Sequence, residues 1–126
     1  MRKVSTRTIL VALIVVTGAL RESMLHHQPL WGDEVFSLAM ATGHSLEHPA
    51  AEADPAKGDF VEGEEPRPPS VYAGYLEHDR PAASLERVVR AVRLSDTSPP
   101  LYYVLLSGWT RALGTGDGAL RLFSAL

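Results

Sequence analysis

An all-α membrane protein is the fold class this sequence predicts, and three observations predict it. The first is where the grease lies: of 126 residues, 45% hydrophobic and 7% aromatic, the apolar ones gather in "TILVALIVVTGAL" (8–20) and "PPLYYVLLSGWTRALG" (99–114). The second is charge. Residues 21–98 hold 14 Asp and Glu against 7 Lys and Arg, whereas the remaining ends hold 1 acid against 5 bases, within a net charge of −3. The third is the order of the bases. Arg2, Lys3 and Arg7 precede the first apolar segment, and Arg111 and Arg121 flank the turn after the second. Cytoplasmic flanks of membrane helices collect Lys and Arg, so a single topology satisfies all five: N-terminus cytoplasmic, a long acidic loop outside, and the second turn inside again. A two-helix soluble hairpin with a disordered insert gives no reason for such sorting.

The first transmembrane helix is placed within residues 1–25. Its charged start and 12-residue apolar run from Ile9 to Leu20 also fit a secretory signal, but "TGALRES" offers no convincing small-x-small cleavage site. Apolar character resumes at Met24 and Leu25, giving about the 20 residues a bilayer requires, with Arg21 able to snorkel. The second transmembrane helix is expected over 99–114. Pro99 and Pro100 lack N–H groups that a first turn leaves unpaired anyway, and Gly114, Gly116 and Gly118 end the run. Residues 115–126 form a cytoplasmic turn and the start of a third helix. The chain stops inside it, as a fragment would.

Residues 26–98 form the extracytoplasmic loop. A short helix is expected over 33–43, with Asp33 as N-cap, Glu34 in the first turn, and Val35, Leu38, Ala39 and Thr42 on one side. Residues 44–70 contain five prolines and little apolar periodicity, the composition of a flexible loop. A second helix is expected over 84–94. There Leu85, Val88, Val89 and Val92 fall at i, i+3, i+4 and i+7, leaving Glu86, Arg87, Arg90 and Arg93 mostly on the opposite face.

The stretch "LWGDEVFSLA" places two adjacent carboxylates at the lip of an apolar helix, and it is followed in the C-terminal part by "DTSPPLYYVLLSGWTRALGTGDGALRLFSAL". In that order, around apolar helices, these motifs resemble the start of integral-membrane glycosyltransferases of the C-type fold. The nearest groups are the dolichyl-phosphate-mannose-protein mannosyltransferase-like enzymes (glycosyltransferase family 39) and the bacterial polyprenyl-phosphate-sugar transferases of the Rgt type. The resemblance covers roughly residues 8–43 and 94–126 and leaves out the acidic insert.

The resemblance implies a polyprenyl-phosphate-linked sugar as donor, transferred to a protein or glycan acceptor on the outer face of the membrane. The first acid of the pair serves that family as general base, which maps to Asp33. Glu34 would orient the acceptor or tune its neighbour, since two adjacent acids in a partly desolvated site disfavour double ionisation. Asp96, at the end of the loop, and the aromatics Trp31 and Tyr102 are the substrate-binding candidates, although Trp31, Tyr102 and Tyr103 also fit simple interfacial anchors. The helix-start reading of Asp33 and Glu34 stands beside the catalytic one. Many relatives carry a histidine directly before the Pro-Pro pair; here that position is Ser98, so the contact a histidine would make is not carried over.

Other chemistry finds little support. With no cysteine there is no disulfide, thiolate nucleophile or Cys-based metal site. His44 and His48 are four apart, but Pro49 breaks the helix their spacing would need, so no metal is assigned. Walker, Rossmann and Gly-x-Ser-x-Gly motifs are missing, and the acidic middle argues against nucleic acid. The expectation is thus the N-terminal segment of a plasma-membrane glycosyltransferase, inactive as 126 residues, with membrane lipid, lipid-linked sugar and an acceptor as partners. Its alternatives are a small membrane protein whose acidic loop binds a partner without chemistry, and a secreted protein after signal cleavage.

Overall fold

The computed structural model describes residues 5–25 and 30–125; Arg2, Lys3 and the side chain of Arg21 lie outside what is described. All regular structure among these residues is helical. The order is α1 (Thr6–Leu25), α2 (Gly32–Thr42), 3-10 turns at Ala50–Glu52 and Pro55–Lys57, α3 (Pro69–Ala73), a 3-10 turn at Gly74–Leu76, α4 (Leu85–Ser95), α5 (Pro100–Leu113) and α6 (Asp117–Ser124).

The membrane part of the expectation is overturned: no helix among the described residues is long and apolar enough to cross a membrane. The two crossings, the extracytoplasmic position of 26–98, the cytoplasmic N-terminus and the plasma-membrane location therefore fall together. In α1 the unbroken apolar run is 12 residues, about 18 Å at 1.5 Å per residue, bounded by Arg7 on one side and by Arg21 and Glu22 on the other. A hydrocarbon core is about 30 Å thick. Helix α5 has 14 residues, and Tyr103, Leu106, Ser107 and Thr110 are buried along it. It is a core helix of the body, the common fate of a run of that length. Helix α1 stands apart from that core. It touches α6, while Ile9, Leu10, Val11, Leu13, Ile14, Val15 and Val16 remain 50 to 64% exposed.

Helices α2, α4 and α5 pack against one another, and α6 lies on α5. Two apolar clusters result. Leu38, Ala41, Leu106 and Leu120 form one, covered by Leu30, Leu76 and Phe123; Met40, Val88, Val92 and Tyr103 form the other, covered by Val104. Full burial of a leucine such as Leu38, Leu106 or Leu120 stabilises by roughly 2 kcal/mol.

Local chemistry sets the ends. Helix α2 stops at Gly43, whose φ of 88° is the left-handed conformation; its N–H donates to Met40 O at 3.0 Å and that of His44 to Ala39 O at 2.8 Å. Ser84 Oγ accepts from Arg87 N at 3.2 Å and starts α4. Pro99 and Pro100 begin α5, and Gly114 closes it at φ 89°.

In α4 the buried face is turned from the one the spacing suggests. Val88, Ala91 and Val92 are buried while Leu85 is exposed, and Arg87 and Arg90 sit half-buried beside that face. Each arginine reaches a carboxylate there, Asp79 and Asp59, so its charge is neutralised at the edge of the core.

Residues 44–70 contain the two 3-10 turns and the first two residues of α3, yet their first half is bound to the body. Phe60 N donates to Ser45 O at 2.8 Å, Ser45 Oγ and Ser95 Oγ lie 2.7 Å apart, and Asp59 is 1% exposed against Arg90. Residues 61–70 are exposed throughout. Residues 74–80 then cross α2: Leu76 packs on the Leu38 cluster, and Thr42 Oγ1 donates to Tyr75 O at 3.0 Å.

Candidate functional site

A cavity of about 250 Å³ opens where the outer side of α2 meets the junction of α4 and α5, lined by Asp33, Phe36, Ser37, Met40, Glu47, Ser95, Asp96 and Tyr103. Helix α2 supplies Asp33, Ser37 and Met40 at i, i+4 and i+7, one stripe of its surface. Asp96 follows the last residue of α4, and Tyr103 lies seven positions on, in the first turn of α5. The extended Pro99 carries the chain between them, so the Tyr103 hydroxyl donates to Asp96 Oδ2 at 2.8 Å.

Two of the residues expected from sequence thus meet, although 63 positions separate them. Asp33 is exposed at the mouth and makes no hydrogen bond or ion pair with any described residue, leaving both oxygens open to a ligand. Asp96 accepts one hydrogen bond at each oxygen, from Ser98 N and from the Tyr103 hydroxyl. Hydrogen bonds from Ser98 and then from Tyr103 hold its carboxyl below the usual carboxylate range. Burial, followed by Asp96 itself, pushes the Tyr103 phenol up, so it remains a donor.

Glu34, Trp31 and Tyr102 do not line this cavity. The N-cap of α2 is Trp31, not Asp33, because the helix begins at Gly32. Glu34 reaches back to accept from Trp31 N at 2.9 Å, and its Oε1 lies 3.7 Å from Nε of the buried Arg121. Its role in the structure is to fix the start of α2 and bind it to α6. Trp31 is 73% exposed. Tyr102 turns away from the cavity to stack edge-on against Tyr103 and Phe123, at centroid distances of 5.1 and 5.5 Å.

Tyr103, Ser37, Ser95 and Glu47 are site residues the sequence left unassigned. The signal for Tyr103 was present: Asp96 and Tyr103 flank the Pro-Pro pair at i and i+7. Nothing local marks Glu47, which reaches the cavity because the chain turns back after Gly43.

No three His, Asp or Glu side chains among the described residues stand together as a metal site. His44 and His48 face different partners, His44 Nδ1 lying 3.0 Å from Thr42 Oγ1 and His48 Nδ1 2.9 Å from Ser45 Oγ. No known protein family, curated protein or solved structure matches the chain. The glycosyltransferase resemblance therefore rests on the quoted motifs alone.

Proposed function

We propose that this cavity belongs to a glycosyl-transfer site acting on a sugar carried by polyprenyl phosphate, with Asp33 as general base. The observation that supports it is the sharing of one cavity by Asp33, exposed and unpartnered, and Asp96, held ionised by Ser98 and Tyr103. Its volume of about 250 Å³ lies near the lower edge of small-molecule pockets, which run from roughly 300 Å³ upward. In the reaction the acceptor hydroxyl gives its proton to Asp33 as its oxygen bonds to the anomeric carbon; the anomeric C–O bond breaks, and the lipid phosphate leaves with the electron pair. Asp96, with Tyr103 behind it, accepts hydrogen bonds from sugar hydroxyls. A positioned base supplies about 100- to 10,000-fold, and the remaining acceleration comes from positioning and charge stabilisation. Groups for the isoprenoid and its phosphate are not among the cavity residues, so the 126 residues alone are expected to give no turnover.

The test supplies polyprenyl-phosphate mannose or glucose and a hydroxyl acceptor to the product of the complete reading frame, wild type and Asp33→Asn, and measures sugar released from lipid. Loss of transfer with folding retained supports the base; unchanged turnover overturns it.

A second reading has its own observation. Glu62, Glu64 and Glu65 are all exposed on residues 61–70, an acidic surface suited to a basic protein partner without chemistry. Absence of transfer, together with partner capture that is lost in a Glu62→Gln, Glu64→Gln, Glu65→Gln triple variant, would favour it.

A further inference from the structure

We propose that residues 74–80 form an acid-released strap, held across α2 and α5 by neutral His44 and His78 and expelled when both rings are protonated. The strap is fastened at four places. Thr42 Oγ1 meets Tyr75 O; the His44 ring packs edge-on against Tyr75 at 5.5 Å with its Nε2 3.4 Å from Asp79 Oδ1; Arg87 Nη1 donates to Asp79 Oδ2 at 2.7 Å; and His78 Nε2 lies 3.0 Å from Thr110 Oγ1 of α5. Two of the four fastenings pass through an imidazole.

The charged groups around those rings are unevenly matched. Asp79 of the strap and Arg87 of α4 face His44; Arg111 of α5, His44 and Asp79 surround His78. Asp79 is already committed to Arg87. Protonating both histidines would leave this one carboxylate against four cations, Arg87, Arg111 and the two imidazoliums, in a place where His44 is 4% exposed. His78 Nδ1 is buried with no hydrogen-bond partner, so a proton placed there would also lack an acceptor. Burial is accordingly the first cause holding both rings below the ordinary histidine value, with Arg87 acting further on His44 and Arg111 on His78; Asp79, and for His44 the Tyr75 backbone, favour the charged ring but do not outweigh them. In the released strap both return toward about 6.5. Protons therefore bind the released form more tightly, and release begins as pH falls below that value.

Release has a physical consequence beyond loosened backbone. Leu76 leaves the cluster of Leu38, Ala41 and Leu106, and an apolar cleft between α2 and α5 is laid open. The strap is thus a pH-gated cover, independent of the chemistry assigned to the Asp33 cavity on the other side of α2.

The experiment measures hydrogen exchange of the peptide 74–80, corrected for intrinsic rate, together with binding of an apolar dye, at pH 7.5 and 5.0. In wild type the corrected exchange should speed at least about tenfold and dye binding rise, with the far-ultraviolet helix signal retained. A His44→Gln, His78→Gln double variant should keep its neutral-pH exchange at pH 5.0. Asp79→Asn, which removes the facing carboxylate, should move release to higher pH. Unchanged exchange in wild type, or equal acceleration in the double variant, overturns the proposal. Should the double variant not fold, His78→Gln alone decides: a smaller acceleration between pH 7.5 and 5.0 than in wild type supports the strap, and an equal one sinks it.

Discussion

Arg90 grips Asp59 with both arms of its guanidinium: Nη1 donates to Oδ1 at 2.8 Å and Nη2 to Oδ2 at 2.7 Å, across 31 positions of sequence. Asp59 also accepts from Asp54 N at 2.8 Å, and so it gathers the 3-10 turns of the insert onto α4. Arg90→Met would strand a buried carboxylate and is expected to cost about 2–4 kcal/mol. Asp59→Asn, which keeps the shape and loses the charge, should cost less. Urea unfolding of the two variants measures the difference, and equal stability of Arg90→Met and wild type would show the fork to be incidental.

Gly43 invites a second substitution. A Cβ built there stands 2.5 Å from Ala83 Cβ, and the backbone φ of 88° is strained for any side chain. Gly43→Ala should therefore lose about 2 kcal/mol or more, roughly 1 from the left-handed backbone and the rest from displaced neighbours. Thermal unfolding reads this directly; a variant as stable as wild type would mean that α2 does not end in this geometry.

Tyr103→Phe removes a donor without changing the shape of the core. Asp96, kept low by Ser98 and Tyr103, should then titrate higher, while the helical content stays unchanged. Carboxyl carbon shifts in a pH titration report it. A curve for Asp96 that does not move would leave Ser98 as its sole effective partner.

Acid should unsettle the protein in two separated stages. His44 and His78 are depressed in the fold, so the unfolded chain takes up protons first; their contribution is present above about 6.5 and declines as pH falls below it. Asp59 is a depressed carboxylate: burial opposes its charge, but Arg90 and the Asp54 N–H outweigh burial. Its contribution is present above about 4 and is lost as pH falls through the lower folded value. Denaturation midpoints from pH 8 to 3 should show both declines. His78→Gln should flatten the upper one and leave the lower untouched.

What could be read from sequence was whatever a single segment carries. Leu38, Ala39 and Thr42 share the buried side of α2 as their spacing suggests, and Val88 and Val92 do so in α4. The turned face of α4 was not legible, because Arg87 and Arg90 become interior neighbours only through Asp79 and Asp59, whose positions depend on how the chain returns. The apolar ends misled for a related reason. An uncharged run of 12 residues is written alike whether it meets lipid or another helix, and α5 buries one side of its run against α2 and α4. In the cavity, Asp33 and Asp96 could be named separately, but their meeting depends on the packing of α2 beside the α4–α5 junction, which no local pattern encodes.

The aromatic contacts of α5 and α6 make the protein its own optical gauge. Trp109, whose Nε1 donates to Ala119 O at 2.7 Å, touches Phe123 at 5.8 Å; Phe123 touches Tyr102, and Tyr102 touches Tyr103, whose hydroxyl sits on the cavity wall. Excitation of the two tyrosines can pass through space to the nearby half-buried indole of Trp109, while Trp31, 73% exposed, emits further to the red. One molecule thus broadcasts two colours, and a change at the mouth of the cavity can be followed in the first without any dye or label.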